Sequence, residues 1–269
     1  MSISSDERLS RLEIGTALFK AKQVEEAYPY FQAALDFDRN LTPQNSAKAL
    51  YYIAETLFNK REYDMALHHY NISIDLYADD FQVYFDRGYL RQKLRLTQAS
   101  IDDFNKSIEL NPDFASTYHN RAVAYKHIGN IEQAIIDFRR AISLPGNHVR
   151  TKKSLLELLL PRAMRYGETG QTEKALQVLD ECVHLDPVPA QVFMERANLY
   201  MGLGRHADAI DDITLALELR PNSCELLKIR AVAYEKLGEN RLAMSDYEAV
   251  LERQETRTAS RDIHATLQT

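Results

Sequence analysis

Eight histidines, two cysteines and 39 carboxylates are the residues of this chain whose types could do chemistry. The adjacent pair His68 and His69 offers imidazole nitrogens to a metal, but neighbouring positions on a helix diverge by about 100°, so the two rings cannot chelate one ion from one face. His119 and His127 stand eight residues apart, slightly over two helical turns, which is too far for a shared ion. Cys182 and Cys224 form no zinc or redox spacing and read as two reduced, packed thiols. The acid pairs Asp79/Asp80, Asp102/Asp103 and Asp211/Asp212 read as solvated charge in turns or on helix surfaces. No G-x-x-x-x-G-K-[ST], G-x-S-x-G or H-E-x-x-H string occurs. The expectation is no catalytic residue, no metal and no cofactor.

Composition narrows the partners. Thirty-three Lys and Arg against 39 Asp and Glu give a formal charge of -6, which supplies no basic field for nucleic acid or an anionic membrane surface. No run of about 18 apolar residues occurs, the longest stretch being Leu155 to Leu160 with Glu157 inside it. Met1 to Ser10 lacks the basic and apolar regions of a secretory signal, so a cytoplasmic location is expected, although a chain begun after a removed signal would read the same. Nine Gly, eight Pro, two Cys and no Trp disfavour disulfide scaffolds and Gly-rich strand architectures and favour helix.

The elements that must position these side chains emerge from a repeat of 34 residues. Residues 81–114 and 115–148 align without a gap, and 8–41, 47–80, 156–189, 190–223 and 224–257 fall in the same frame. Position eight of the unit is Gly15, Ala54, Gly88, Ala122, Ala163, Ala197 and Ala231, and position 20 is Ala27, Ala66, Ser100, Ala134, Ala175, Ala209 and Ala243. All are small. Position 24 is Phe31, Tyr70, Phe104, Phe138, Leu179, Ile213 and Tyr247, all large. Apolar spacing of three and four on either side of a break near position 15 predicts two helices per unit, with Gly129, Gly170, Gly204 and Gly238 supplying the turn. Pro112, Pro187 and Pro221 at position 32 stop the second helix. Small residues let the two helices approach, and the large residue fills the space above them.

With small-x(3)-aromatic followed by Pro eight residues later, as in Ser100-x(3)-Phe104…Pro112, the chain resembles the tetratricopeptide repeat family from residue 8 to residue 257. The resemblance implies an all-α, right-handed superhelical α-solenoid of seven helix-turn-helix units. The family's Trp at position four is replaced by Arg11, Leu50, Tyr84, Tyr118, Leu159, Phe193 and Leu227, so the first unit, with Arg11, is the weakest match or a solvent-facing cap. The reading divides the chain into a lead (1–7), units one to four (8–148), an irregular join (149–155), units five to seven (156–257) and a cap or frayed tail (258–269). Pro161 is expected to kink or break the helix that follows the join.

Position seven is Arg and position 23 is Asp together in four units: Arg87/Asp103, Arg121/Asp137, Arg196/Asp212 and Arg230/Asp246. Structural ion pairs between neighbouring helices are the preferred reading over a ladder of ligand-binding charges, because the planar Arg fork suits partly buried carboxylates.

The resemblance further places positions two, five, six, nine, 12 and 13 on the concave face. Units two to four supply Tyr51, Tyr52, Phe58, Phe85, Tyr89 and His119 there, together with Asn120, whereas units five to seven supply acids, Glu195 and Glu225 among them. The expected function is a non-catalytic interaction scaffold or adaptor that binds a partner peptide in this groove, through apolar or aromatic anchors and a basic stretch. An assembly or secretion-type chaperone holding a client segment in the same groove is the alternative. The family's dicarboxylate clamp is not met: Asn120 fits, but Phe85 and Tyr89 precede it and Glu157 and Pro161 follow, so no acidic chaperone tail is expected. The convex face, the Leu155–Leu160 segment and self-association through a terminal unit stay open as other surfaces.

Overall fold

The computed structural model describes residues 10–38 and 41–266, with side chains through residue 255. The expected lead, 1–7, and residues 267–269 of the expected tail lie outside the described residues. Among the described residues there are fourteen α-helices and no strand. The chain divides into two compact units, Met1–Asn147 and His148–Thr269.

The first unit holds four helix pairs: α1 (Arg11–Lys20) with α2 (Val24–Phe37), α3 (Pro43–Asn59) with α4 (Tyr63–Leu76), α5 (Phe81–Lys93) with α6 (Thr97–Leu110), and α7 (Ala115–His127) with α8 (Ile131–Ser143). The second holds three: α9 (Val149–Glu168) with α10 (Thr172–Cys182), α11 (Ala190–Gly202) with α12 (His206–Leu219), and α13 (Cys224–Leu237) with α14 (Asn240–Thr266). Local sequence starts these helices at several points. Ser10 and Glu13 form a capping box on α1, and Thr42 caps α3 with Pro43 in its first turn. Asp80, Asn130 and Ser223 accept backbone N–H groups at the starts of α5, α8 and α13.

Every pair turns in one way. The residue at position 15 takes a left-handed conformation, as Gly129, Gly170, Gly204 and Gly238 in the later pairs and as Lys22, Arg61 and Arg95 in the first three. The next backbone N–H then reaches back five residues, as in Gln23 to Leu18, Glu62 to Leu57 and Asn130 to Tyr125. This closes the first helix and aims the second back along it.

Inside each pair, small residues meet a large one. Ala27 and Phe31, Ala66 and Tyr70, Ser100 and Phe104, and Ala134 and Phe138 are fully buried in the first unit, and Ala175, Ala209 and Ile213 are so in the second. A Cβ at Gly15 or Gly88 would stand 2.8 Å from the ring of Phe31 or Phe104, so these two glycines set how closely the helices of their pairs approach. Tyr247, on the final helix, is only half-buried.

The Arg and Asp residues of the repeat are structural, and two members of the acid pairs expected to be solvated belong to them. Asp103, Asp137 and Asp212 are each 2% exposed, against the expectation for Asp103 and Asp212. Each carboxylate takes two hydrogen bonds from one Arg fork: Arg87 on Asp103 at 3.0 and 2.6 Å, Arg121 on Asp137 at 2.7 and 2.7 Å, Arg196 on Asp212 at 2.8 and 2.6 Å, and Arg230 on Asp246 at 2.8 and 2.8 Å. The remaining Nη1 of each Arg turns to the second helix of the preceding pair and donates to Asn71, Asn105, Asp180 and Thr214 respectively. One side chain thus fastens three helices. Removing a partner from such a site leaves a buried charge uncompensated, which is the costly event.

Helix α9 departs from the expected layout. Residues 149–155 are not an irregular join but the first two turns of α9, and Pro161 lies inside that helix without ending it. Seven added residues make nearly two full turns, so the apolar phase of the helix is kept, and Leu155, Leu156 and Leu159 are buried along it. The ring of Pro161 removes one backbone hydrogen bond, a local loss that the turns on either side outlast. The backbone of α14 stays helical to Thr266, well into the segment expected as a cap or frayed tail.

Candidate functional site

The rings expected to line one groove fall into three environments. Tyr52, on α3, stacks on Phe31 at 4.9 Å with an interplanar angle of 14° and meets Phe19 at 4.8 Å. It joins the first pair to the second and is packing, not a free anchor. Phe85, on α5, is wedged against Phe114 at 5.0 Å and Phe104 at 6.2 Å. His119, on α7, is 8% exposed and lies on Phe138 at 5.5 Å, so it too is a core ring rather than a surface one. These three rings thus take part in the packing within and between pairs. What could not be read from single positions is that a first helix packs on its own partner and on the neighbouring pair at once.

Phe58 and Tyr89 differ. Their centroids are 5.9 Å apart across α3 and α5, Tyr89 is 38% exposed, and the ammonium of Lys93 stands 5.6 Å from the centre of each ring. This is an aromatic lip with a cation on it. Tyr63, from the start of α4, supports Phe58 at 5.8 Å. Asn120, in the middle of α7, receives Gln92 Nε2 on its backbone oxygen at 3.2 Å.

Between these rings lies a group that the sequence reading passed over. Tyr51 donates its hydroxyl to Asp86 at 3.0 Å, Gln82 donates to the same carboxylate oxygen at 2.9 Å, and Tyr70 donates to Glu55. Glu55 on α3 and Asp86 on α5 are half-buried, and burial pushes both carboxyls up: Glu55 to about 7, with the charge of Asp86 adding, and Asp86 to about 6, with the bonds from Gln82 and Tyr51 opposing. Burial and these neighbouring acids raise the hydroxyls of Tyr51 and Tyr70 far above the ordinary tyrosine range, so neither ionises near neutrality. The signal was available, since Glu55 and Asp86 occupy positions nine and six, which the resemblance assigns to the groove.

In the second unit, Glu195 on α11 is half-buried and takes a hydrogen bond from Gln191, one turn earlier. Glu225 is exposed in the first turn of α13. Cys182 is buried, which pushes its thiol up to about 12, and Cys224 is half-buried, both unbridged. Among the described residues no three His, Cys, Asp or Glu side chains are grouped to hold a metal ion, and no helix is long and apolar enough to cross a membrane.

Three family models described as tetratricopeptide repeats match the sequence, at residues 81–114, 104–136 and 160–223. No curated protein matches. The C-terminal part of a tetratricopeptide repeat-containing protein from Cytophaga hutchinsonii is 15% identical and superposes with a TM-score of 0.58, over 93% of this chain and 98% of that one. A tetratricopeptide repeat protein from Parabacteroides merdae is 18% identical, with a TM-score of 0.50 over 90% and 91% of the two chains. At these identities the likeness is one of fold. Residues 81–136 and 160–223 are thus tetratricopeptide repeats, in a chain whose described residues have an all-α helical-repeat fold.

Proposed function

We propose that the chain is a non-catalytic interaction scaffold whose first unit grips a partner segment along the row of α3, α5 and α7. The tetratricopeptide fold supports protein interaction in general, and its members are typically not enzymes. The observation that carries the finer reading is the lip of Phe58 and Tyr89, with Tyr89 38% exposed and Lys93 above both rings. An apolar or aromatic side chain of the partner would enter between those rings, where burying it gains both area and ring contact. Tyr51, bonded to Asp86 of α5, would add a further ring to the grip, and Asn120, on α7, a hydrogen-bonding group for partner backbone. Glu195 and Glu225, in the second unit, would meet basic residues of the partner and speed its approach.

The test is capture of partners from the native cell by the full chain and by Tyr89→Ala, with bound proteins identified by mass spectrometry. A partner held by the unaltered chain and reduced at least about tenfold by Tyr89→Ala is the expected result, equivalent to about 1.4 kcal/mol. Equal capture by both would move the site away from the lip. A bound client that aggregates alone and stays soluble with the chain would mark holding, as a chaperone does, rather than bridging.

A further inference from the structure

Four buried or nearly buried aspartates of this chain, Asp103, Asp137, Asp212 and Asp246, each face an Arg fork. Glu55 and Asp86 are handled differently. Their hydrogen bonds come from uncharged groups, Tyr70 on Glu55 and Tyr51 and Gln82 on Asp86. These bonds tie α3, α4 and α5 together at the joint between the second and third pairs, where position seven of the second pair is Ile53 and position 23 is His69 instead of Arg and Asp.

The charged and titratable groups around the joint are few. On α3 itself Tyr51 lies near Glu55, and Tyr52 feels the charge of Asp80. From α4 come Tyr70, His69, whose imidazole is held below its ordinary range by burial and by His68, and Asn71, which is taken by Arg87. Asp80 precedes α5 and adds negative charge to Asp86. The cations of α5 are committed elsewhere, Arg87 and Arg91 to Asp103 and Lys93 to the two rings of the lip. On the far sides, Lys60 at the end of α3 pairs with Glu25 of α2, and from α7 Arg121 is held by Asp137. Among the described residues no Lys, Arg or His pairs with Glu55 or Asp86.

We infer that this joint is a proton-responsive switch: a proton held on the Glu55–Asp86 cluster keeps α3 and α5 together, and its loss to solvent leaves two like charges facing across the joint and loosens it. Both carboxyls titrate well above their ordinary range, which brings the change close to neutral pH. The sign follows from where the protons are bound. A carboxyl raised in the folded chain binds more protons folded than unfolded, so the stability it lends is full at acid pH and falls as pH rises from about 4 to about 7. The geometry also gives the switch something to move. Phe58 and Tyr89 meet across the same two helices at 5.9 Å, so a looser α3–α5 joint parts the lip. The consequence for partner binding rests on the groove reading. The joint itself does not.

The test therefore reads the joint and not a partner. The full chain, Glu55→Gln and Asp86→Asn are melted at pH 5 and pH 8, and hydrogen exchange of α3 and α5 is followed at both, corrected for the intrinsic pH dependence of exchange. The unaltered chain should lose at least about 4 °C more in Tm between the two pH values than Glu55→Gln, whose amide stays neutral throughout. Its α3 and α5 amides should exchange several-fold faster at pH 8, while those of Glu55→Gln do not change. An equal Tm loss in both proteins, or unchanged exchange in the unaltered chain, overturns the inference. Should the variants fold poorly, a ¹³C titration of the carboxyls in the unaltered chain decides: midpoints of about 4 for both Glu55 and Asp86 would overturn it equally. Either failure leaves Tyr89 and the lip as a partner site untouched.

Discussion

Tyr52 and Tyr89 occupy neighbouring first helices and carry the same phenol, yet their surroundings set them different tasks. Tyr52 lies flat on Phe31, closing the gap between the first two pairs, whereas Tyr89 presents 38% of its surface and leans on Phe58. Tyr52→Ala should therefore cost about 2 to 4 kcal/mol in urea unfolding, through lost stacking and a cavity beside Phe31 and Phe19. Tyr89→Ala should cost less than about 1 kcal/mol while removing partner capture. Comparable losses for the two would mean that Tyr89 is also packing and the lip is not a site. The residue types at both positions are plain in the sequence. What separates them is the identity of side chains from the adjacent pair, which a single sequence does not place beside them. The same holds for Glu55 and Asp86, whose acidity was visible but whose mutual approach depends on how α3 meets α5.

The helix-to-helix turn is the element where sequence and backbone can be compared seven times. Gly129 occupies a left-handed conformation with open space around it, no heavy atom standing within 4 Å of an added Cβ. The effect of Gly129→Ala is thus purely conformational, and a loss of about 1 kcal/mol is expected in chemical denaturation. Arg95→Gly tests the converse. It removes the left-handed strain of a residue with a Cβ but frees the unfolded chain, so a gain of no more than about 0.5 to 1 kcal/mol should remain. A large loss from Arg95→Gly would show that the Arg side chain, not the turn, matters there. Four glycines made this turn legible. Lys22, Arg61 and Arg95 take the same conformation without any signal in their type, and only their register in the repeat locates them. Register also misled: seven residues beyond the frame read as an interruption, but 149–155 contain neither Gly nor Pro and continue as helix.

At the scale of the whole molecule, the ladder of forks decides how one pair is fastened to the next within each unit. Arg121→Asp and Asp137→Arg should each lower stability by about 3 kcal/mol or more, since each leaves a buried group facing a like charge. The double exchange should recover only part of that, because an Asp at position 121 cannot donate to Asn105 as the fork does at 2.7 Å. Losses that simply add would show that the pair does not interact as drawn. The Arg and Asp columns were readable because both residue types recur. The third contact was not, because any oxygen serves: Asn71, Asn105, Asp180 and Thr214 share an acceptor and not an identity.

Each of these arginines stands midway in the chain, sixteen residues after the oxygen it reaches back to and sixteen before its own aspartate. During synthesis from the amino end, the earlier acceptor has already been made when the Arg emerges, and the carboxylate arrives one helix later. A new helix can therefore be moored to the finished pair behind it before its own partner exists. The order of translation and the order of assembly run in the same direction.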